Sequence, residues 1–176
     1  MNRHDRKAMV AEARKLVRKV IPGVPLRQSC LYHAWAICQV GHQHGHRFLL
    51  QAGTSYWPCL RPELDDGVSP NRFGYEFDTI VAAGCEAMNM MPEMHVWAGD
   101  PYAGEIIDLT TGLWPAQAMA LQKIAWKAPK PPDYVWCDPR ELPKDVVYRA
   151  TKEASLLAKR LLESSFGVGC GVRRKA

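Results

Sequence analysis

Helical periodicity lies at the two ends of this chain and strand-like patterning in its middle. That segregation restricts the fold more than any other feature of the sequence. Over residues 5–20, Met9, Val10, Ala13, Leu16, Val17 and Val20 recur at helical spacing, while Arg6, Lys7, Arg14, Lys15 and Arg18 fall mostly elsewhere. Asp5 is the expected N-cap, and Pro22-Gly23 the stop. A second helix is expected from Ser29 or Cys30 to about Val40, with Leu31, Ala34, Trp35, Ile37 and Cys38 as its apolar stripe and Gly41 ending it. A last helix covers 151–166. Between these, 47–52 and 54–57 read as strands broken at Gly53, 58–72 as a loop, and 73–87 as a strand followed by a short helix. Residues 94–98 and 105–110 read as strands, 115–125 as helix with Pro115 in its first turn, and 127–132 as a Pro/Lys loop. The expectation is an α+β fold with N-terminal helices packed on a central antiparallel β-sheet. It forms a single domain over 1–166, followed by a flexible basic tail at 167–176.

Composition narrows the function classes. A chain of 176 residues with 47% hydrophobic content can bury a real core. It holds no run of ~18 apolar residues, so no membrane partner is expected. The N-terminus is charged from Arg3 onward without an apolar signal region, so a cytoplasmic location is expected. The cysteines at 30, 38, 59, 85, 137 and 170 show no CxxC or similar spacing, and free thiols are expected in preference to a metal site or disulfides. Cys170 sits in the Gly-rich tail, where exposure is expected. The net charge of +5 is uneven: residues 1–27 carry eight Lys and Arg against two acids, and the last four residues add three more basic groups. A nucleic-acid partner would have to use those two ends, and such a partner is not expected. No Gly-rich phosphate loop occurs, and no cofactor is implied.

The chemistry concentrates in three places. Cys30 falls where a polar loop gives way to an apolar-periodic segment, and a thiol at a helix N-terminus is favoured as the anion by unpaired N–H groups and the macrodipole. Downstream, the strands at 94–98 and 105–110 flank the turn-like segment Gly99-Asp100-Pro101-Tyr102-Ala103-Gly104. If the hairpin is symmetric about the Pro101–Tyr102 bond, Trp97 opposes Ile106, Val96 opposes Ile107, and His95 opposes Asp108. Directly paired side chains share a face, so His95 and Asp108 would hydrogen-bond. A one-residue slip would separate them. A carboxylate on one imidazole nitrogen fixes the tautomer and leaves the other nitrogen for a thiol proton. Trp97 shares the face of His95 and would wall a site there.

Two other groups of histidines compete for notice. His42, His44 and His46 alternate in a Gly-flanked segment, which reads as a polar loop and not a metal site. His33 is one turn from Cys30 and reads as a helix-face residue.

Cys30 at a helix start, then His95-Val96-Trp97, then Ile106-Ile107-Asp108-Leu109-Thr110 resembles the transglutaminase-like superfamily within the papain-like cysteine enzymes. The likeness runs over roughly residues 26–114, with 45–90 unaligned. It implies a papain-like/transglutaminase-like α+β fold, with Cys30 as nucleophile, His95 as general base and acid, and Asp108 as the orienting residue. It implies acyl-transfer chemistry on a peptide or protein substrate. Gln28, shortly before the nucleophile, would be an oxyanion donor, as would the Cys30 backbone N–H. Leu31 stands where typical transglutaminases carry Trp, which favours hydrolysis over cross-linking. The other readings are a catalytically degenerate member that only binds protein or peptide, and a nucleic-acid-associated protein that uses its basic termini.

Overall fold

The computed structural model describes residues 1–65, 67, 70–88, 90 and 92–166; the expected tail at 167–176, with Cys170, lies outside them. Helix α1 (Arg3–Val20) buries Met9, Val10, Ala13 and Val17 on one stripe. Its N-cap is Asn2, whose side chain accepts from the Asp5 N–H, so Asp5 sits inside the first turn and not at the cap. A single 3₁₀ turn (Leu26–Gln28) leads into α2 (Ser29–Gln43). This helix continues through Gly41, contrary to expectation. A Cβ at position 41 would collide with the Phe48 ring, so the glycine serves close packing and not termination.

The sheet has six strands: β1 (Leu49–Pro58), β2 (Arg72–Tyr75), β3 (His95–Asp100), β4 (Glu105–Asp108), β5 (Val135–Cys137) and β6 (Val147–Ala150). They follow the path β2-β1-β3-β4-β5, with β6 also on β1, and every pairing is antiparallel. The mixed helix and antiparallel-sheet architecture agrees with the α+β expectation. Gly53 does not break β1. It pairs with His95 on one side and Ala150 on the other, and a Cβ there would run into the Arg149 carbonyl oxygen. Only glycine allows that approach.

Helix α3 (Thr79–Ala87) follows β2, with Asp78 capping the N–H groups of Ile80 and Val81. The short α4 (Trp114–Gln117) has Pro115 in its first turn and passes into a π-type turn at Ala118–Gln122. Helix α5 (Lys152–Phe166) packs on β1. There the Ser155 hydroxyl accepts from the Ala52 N–H.

Two cores lie on the two faces of the sheet. Val96, Ala98 and Ile107 join α1, α2 and α5 in one, which also holds Cys30. Trp57, Phe73, Tyr75, Trp97 and Trp114 build the other, an aromatic core. Arg6 ties α1 to the hairpin through Glu105 and the Trp136 carbonyl, and Arg14 donates to the carbonyls of Leu109 and Asp133. Part of the basic N-terminus is therefore engaged internally. No helix among the described residues is long and apolar enough to cross a membrane.

Candidate active site

The hairpin differs in register from the symmetric expectation. Ala98 pairs with Ile107, Gly99 with Ile106 and Asp100 with Glu105, a shift of two residues. The turn explains the shift. The Asp100 carboxylate accepts from the N–H groups of Tyr102 and Ala103, and Gly104 takes a left-handed φ of 70°, so the loop closes over 101–104. Strand side chains alternate with period two, so an even shift keeps His95 and Asp108 on one face. They meet diagonally, with His95 Nε2 at 2.7 Å from Asp108 Oδ2. Both residues are 1% exposed.

Asp108 is the most heavily satisfied side chain in the site. Oδ2 also accepts from the Tyr148 hydroxyl at 2.7 Å, and Oδ1 accepts from the Thr110 N–H at 2.8 Å and the Thr110 hydroxyl at 2.7 Å. Burial alone would raise the carboxyl pKa. The charge of His95 and the bonds from His95, Tyr148 and Thr110 outweigh burial and hold it below the ordinary range. For His95, burial opposes the charged form. Asp108 overcomes it, with a smaller contribution from Cys30, and lifts the imidazole to about 10. Burial, then the Asp108 charge, pushes the Tyr148 phenol well above its usual value, which keeps it a donor.

Rings enclose His95. Trp114 meets it edge-on at 5.0 Å between centroids, and Tyr75 and Trp97 stack on it at 5.6 and 5.9 Å. Trp97 shares the face of His95 as expected. Its indole Nε1 donates to Gln51 at 2.8 Å, so it is a buried wall whose polar atom is already committed.

Cys30 is the second residue of α2 and 2% exposed. It belongs to the helix-side core while the His95 ring lies among the aromatics, so the two meet at the seam where β3 begins. Asp108 occupies Nε2, which leaves Nδ1 for the thiol. Nδ1 makes no hydrogen bond of ordinary geometry, yet Cys30 is near enough to help raise the imidazole pKa. Nucleophile–base bonds are commonly loose before substrate binds.

The structure does not bring Gln28 to this group. Its Oε1 accepts from the Tyr32 hydroxyl at 3.4 Å, and with Leu31 and Tyr32 it lines a cavity of about 360 Å³ between α2 and α5. His33 Nδ1 donates to the Ser29 carbonyl oxygen at 2.8 Å, and burial lowers its imidazole pKa despite that contact. His44 reaches Glu12 on α1 and His46 stacks on Phe48, so these two of the alternating histidines are separately engaged. No cluster of three or more His, Cys, Asp or Glu that could hold a metal occurs among the described residues, and no disulfide joins the described cysteines.

Sequence reasoning missed Tyr148 and the role of Thr110. The Thr110 bond was available in principle, because Asp side chains commonly accept from the backbone two residues on. Tyr148 sits on a four-residue strand with no periodic signal. No family model, curated protein or solved structure matches this chain.

Proposed function

We propose that this protein is a thiol-dependent acyl-transfer enzyme, a cysteine peptidase or amidohydrolase of transglutaminase-like type that acts on a peptide or protein amide. The observation that carries the reading is a fully buried His95–Asp108 pair, clamped by Tyr148 and Thr110, whose remaining imidazole nitrogen is left for a cysteine in the first turn of a helix. The Cys30 thiol passes its proton to His95, and the Sγ thiolate attacks the amide carbonyl beside the imidazolium. His95 then returns that proton to the departing amine, leaving a thioester on Cys30. Water, giving its proton to His95, releases the acid and restores the thiol; an amine in its place gives a new amide. Asp108 holds the ring in place and balances its charge. No step asks for a cofactor or metal, and a reactive thiol suits a reducing compartment such as the cytoplasm.

The near-complete burial of Cys30 favours a second reading, in which the triad is a structural polar cluster in a protein-binding module. One experiment decides between them. Wild type and His95→Gln are treated with methyl methanethiosulfonate at pH 6.5, and Cys30 modification is followed by peptide mass mapping. The enzyme reading expects Cys30 to react at least about tenfold slower in His95→Gln. Equal rates would leave the binding-module reading standing.

A further inference from the structure

Helix α4 presents two polar atoms that no described residue satisfies. Trp114 and Gln117 are one helical turn apart, on the same side of α4, and both are fully buried. Trp114 Nε1, a donor, and Gln117 Oε1, an acceptor, have no hydrogen-bond partner among the described residues. Each such orphan costs ~1–3 kcal/mol, so a pair of opposite kind on one helical face demands an explanation.

The placement of α4 supplies one. Gln117 Nε2 donates to the Leu26 carbonyl at 2.9 Å, one helical turn before Cys30. Trp114 packs edge-on against the His95 ring. The helix thus touches the turn that leads into the nucleophile with one residue and the base with the other, so it lies across the place where the two halves of the site meet. The π-type turn that follows is a distortion often found beside functional groups.

We infer that Trp114 and Gln117 form an amide-recognition subsite: the indole N–H donates to a carbonyl oxygen of the acyl donor, and Gln117 Oε1 accepts from its neighbouring amide N–H. A donor and an acceptor side by side match the C=O and N–H of one residue in an extended peptide, which point to the same side, and do not match an ester, a phosphate or a hydrocarbon chain. The inference rests on the reading of Cys30 and His95 as nucleophile and base, and it narrows the substrate to compounds with a peptide group next to the reacting carbonyl. Admission of that group requires α4 to move outward; it is four residues long and exposed on its outer side at Ala116.

The test uses a peptidyl chloromethyl ketone and its depsi isostere, in which the amide N–H next to the warhead is replaced by oxygen. Rates of Cys30 modification are normalised to methyl methanethiosulfonate, which has no amide, in the same variant. The amide probe should react about tenfold faster than the isostere in wild type, the value of one well-placed hydrogen bond. That ratio should fall to about one in Gln117→Leu and persist in Gln117→Glu, which keeps an acceptor. Trp114→Phe should slow both probes together. A wild-type ratio of one overturns the inference whether or not any variant folds. If methyl methanethiosulfonate modification proves independent of His95, it is the enzyme reading that fails; if it depends on His95 while the ratio is one, only the subsite falls.

Discussion

In a Cys30→Ala background, stability should fall as pH rises above 6.5, and the slope reports the charge on His95. In the intact chain Asp108, with a smaller contribution from Cys30, lifts the imidazole to about 10 against burial, and Cys30→Ala leaves the Asp108 carboxylate bonded to the ring at 2.7 Å. The unfolded imidazole loses its proton near 6.5 while the folded one keeps it. The stabilisation is therefore fully present below 6.5 and is lost as pH climbs towards the folded value, at ~1.4 kcal/mol per pH unit. From pH 6.5 to 8.5 this amounts to roughly 2–3 kcal/mol, or about 5–10 °C in Tm for a domain of this size. The window stops there because burial also raises the thiols of Cys59 and Cys137, and their linkage adds with the same sign above the ordinary thiol range. The thiol is removed because a cysteine that passes its proton to the ring leaves the number of bound protons unchanged and would flatten the curve. The assay is urea unfolding at pH 6.5, 7.5 and 8.5 in the presence of reductant, comparing Cys30→Ala with Cys30→Ala/His95→Gln. If both show the same slope, His95 is neutral in the folded protein and the electrostatic argument for the pair is wrong.

Three further perturbations follow from the packing. Asp108→Ala strips the buried imidazole of its charge partner and should cost ~3–5 kcal/mol at pH 7, read from the urea midpoint. Tyr148→Phe removes one donor to the carboxylate and leaves the Trp57 indole N–H without its 3.4 Å acceptor; a loss of ~1–2 kcal/mol with an unchanged m-value is expected. Gly53→Ala drives a methyl group into the Arg149 carbonyl and should cost at least ~2–3 kcal/mol, seen as a lowered Tm by circular dichroism. An unchanged Tm would mean that β6 does not lie against β1 as closely as the backbone indicates.

How far the sequence reached is clearest at the hairpin. The predicted partner of each residue was wrong by two positions, because the Asp100 side chain and the left-handed Gly104 tighten the turn in a way a symmetric construction ignores. The shared face of His95 and Asp108 survived because the error was even. Helices α1, α2 and α5 were legible from their apolar stripes, since each has several turns over which a 3.6-residue period can be read. Strands β5 and β6 were not: three and four residues are too few to show alternation, and both are recruited by neighbours distant in the chain. Tyr148 was lost with β6. Gln28 stood at a plausible distance from Cys30 in sequence, but its side chain is held by the Tyr32 hydroxyl in the lining of the cavity between α2 and α5, which linear spacing near a helix start does not show. Gln117, from 87 residues further on, reaches the turn before Cys30 through a tertiary contact that no local pattern encodes.

The seam that encloses Cys30 has a chemical consequence for the lifetime of the thiol. Among the described cysteines Cys85 and Cys137 are partly exposed, while Cys30 is packed within the helix-side core, so exposure favours oxidation of the first two. Oxidative damage should therefore accumulate on Cys85 and Cys137 before it touches Cys30. A preparation aged in air should show Cys85 and Cys137 oxidised before Cys30, so bulk thiol content is a poor gauge of the state of Cys30.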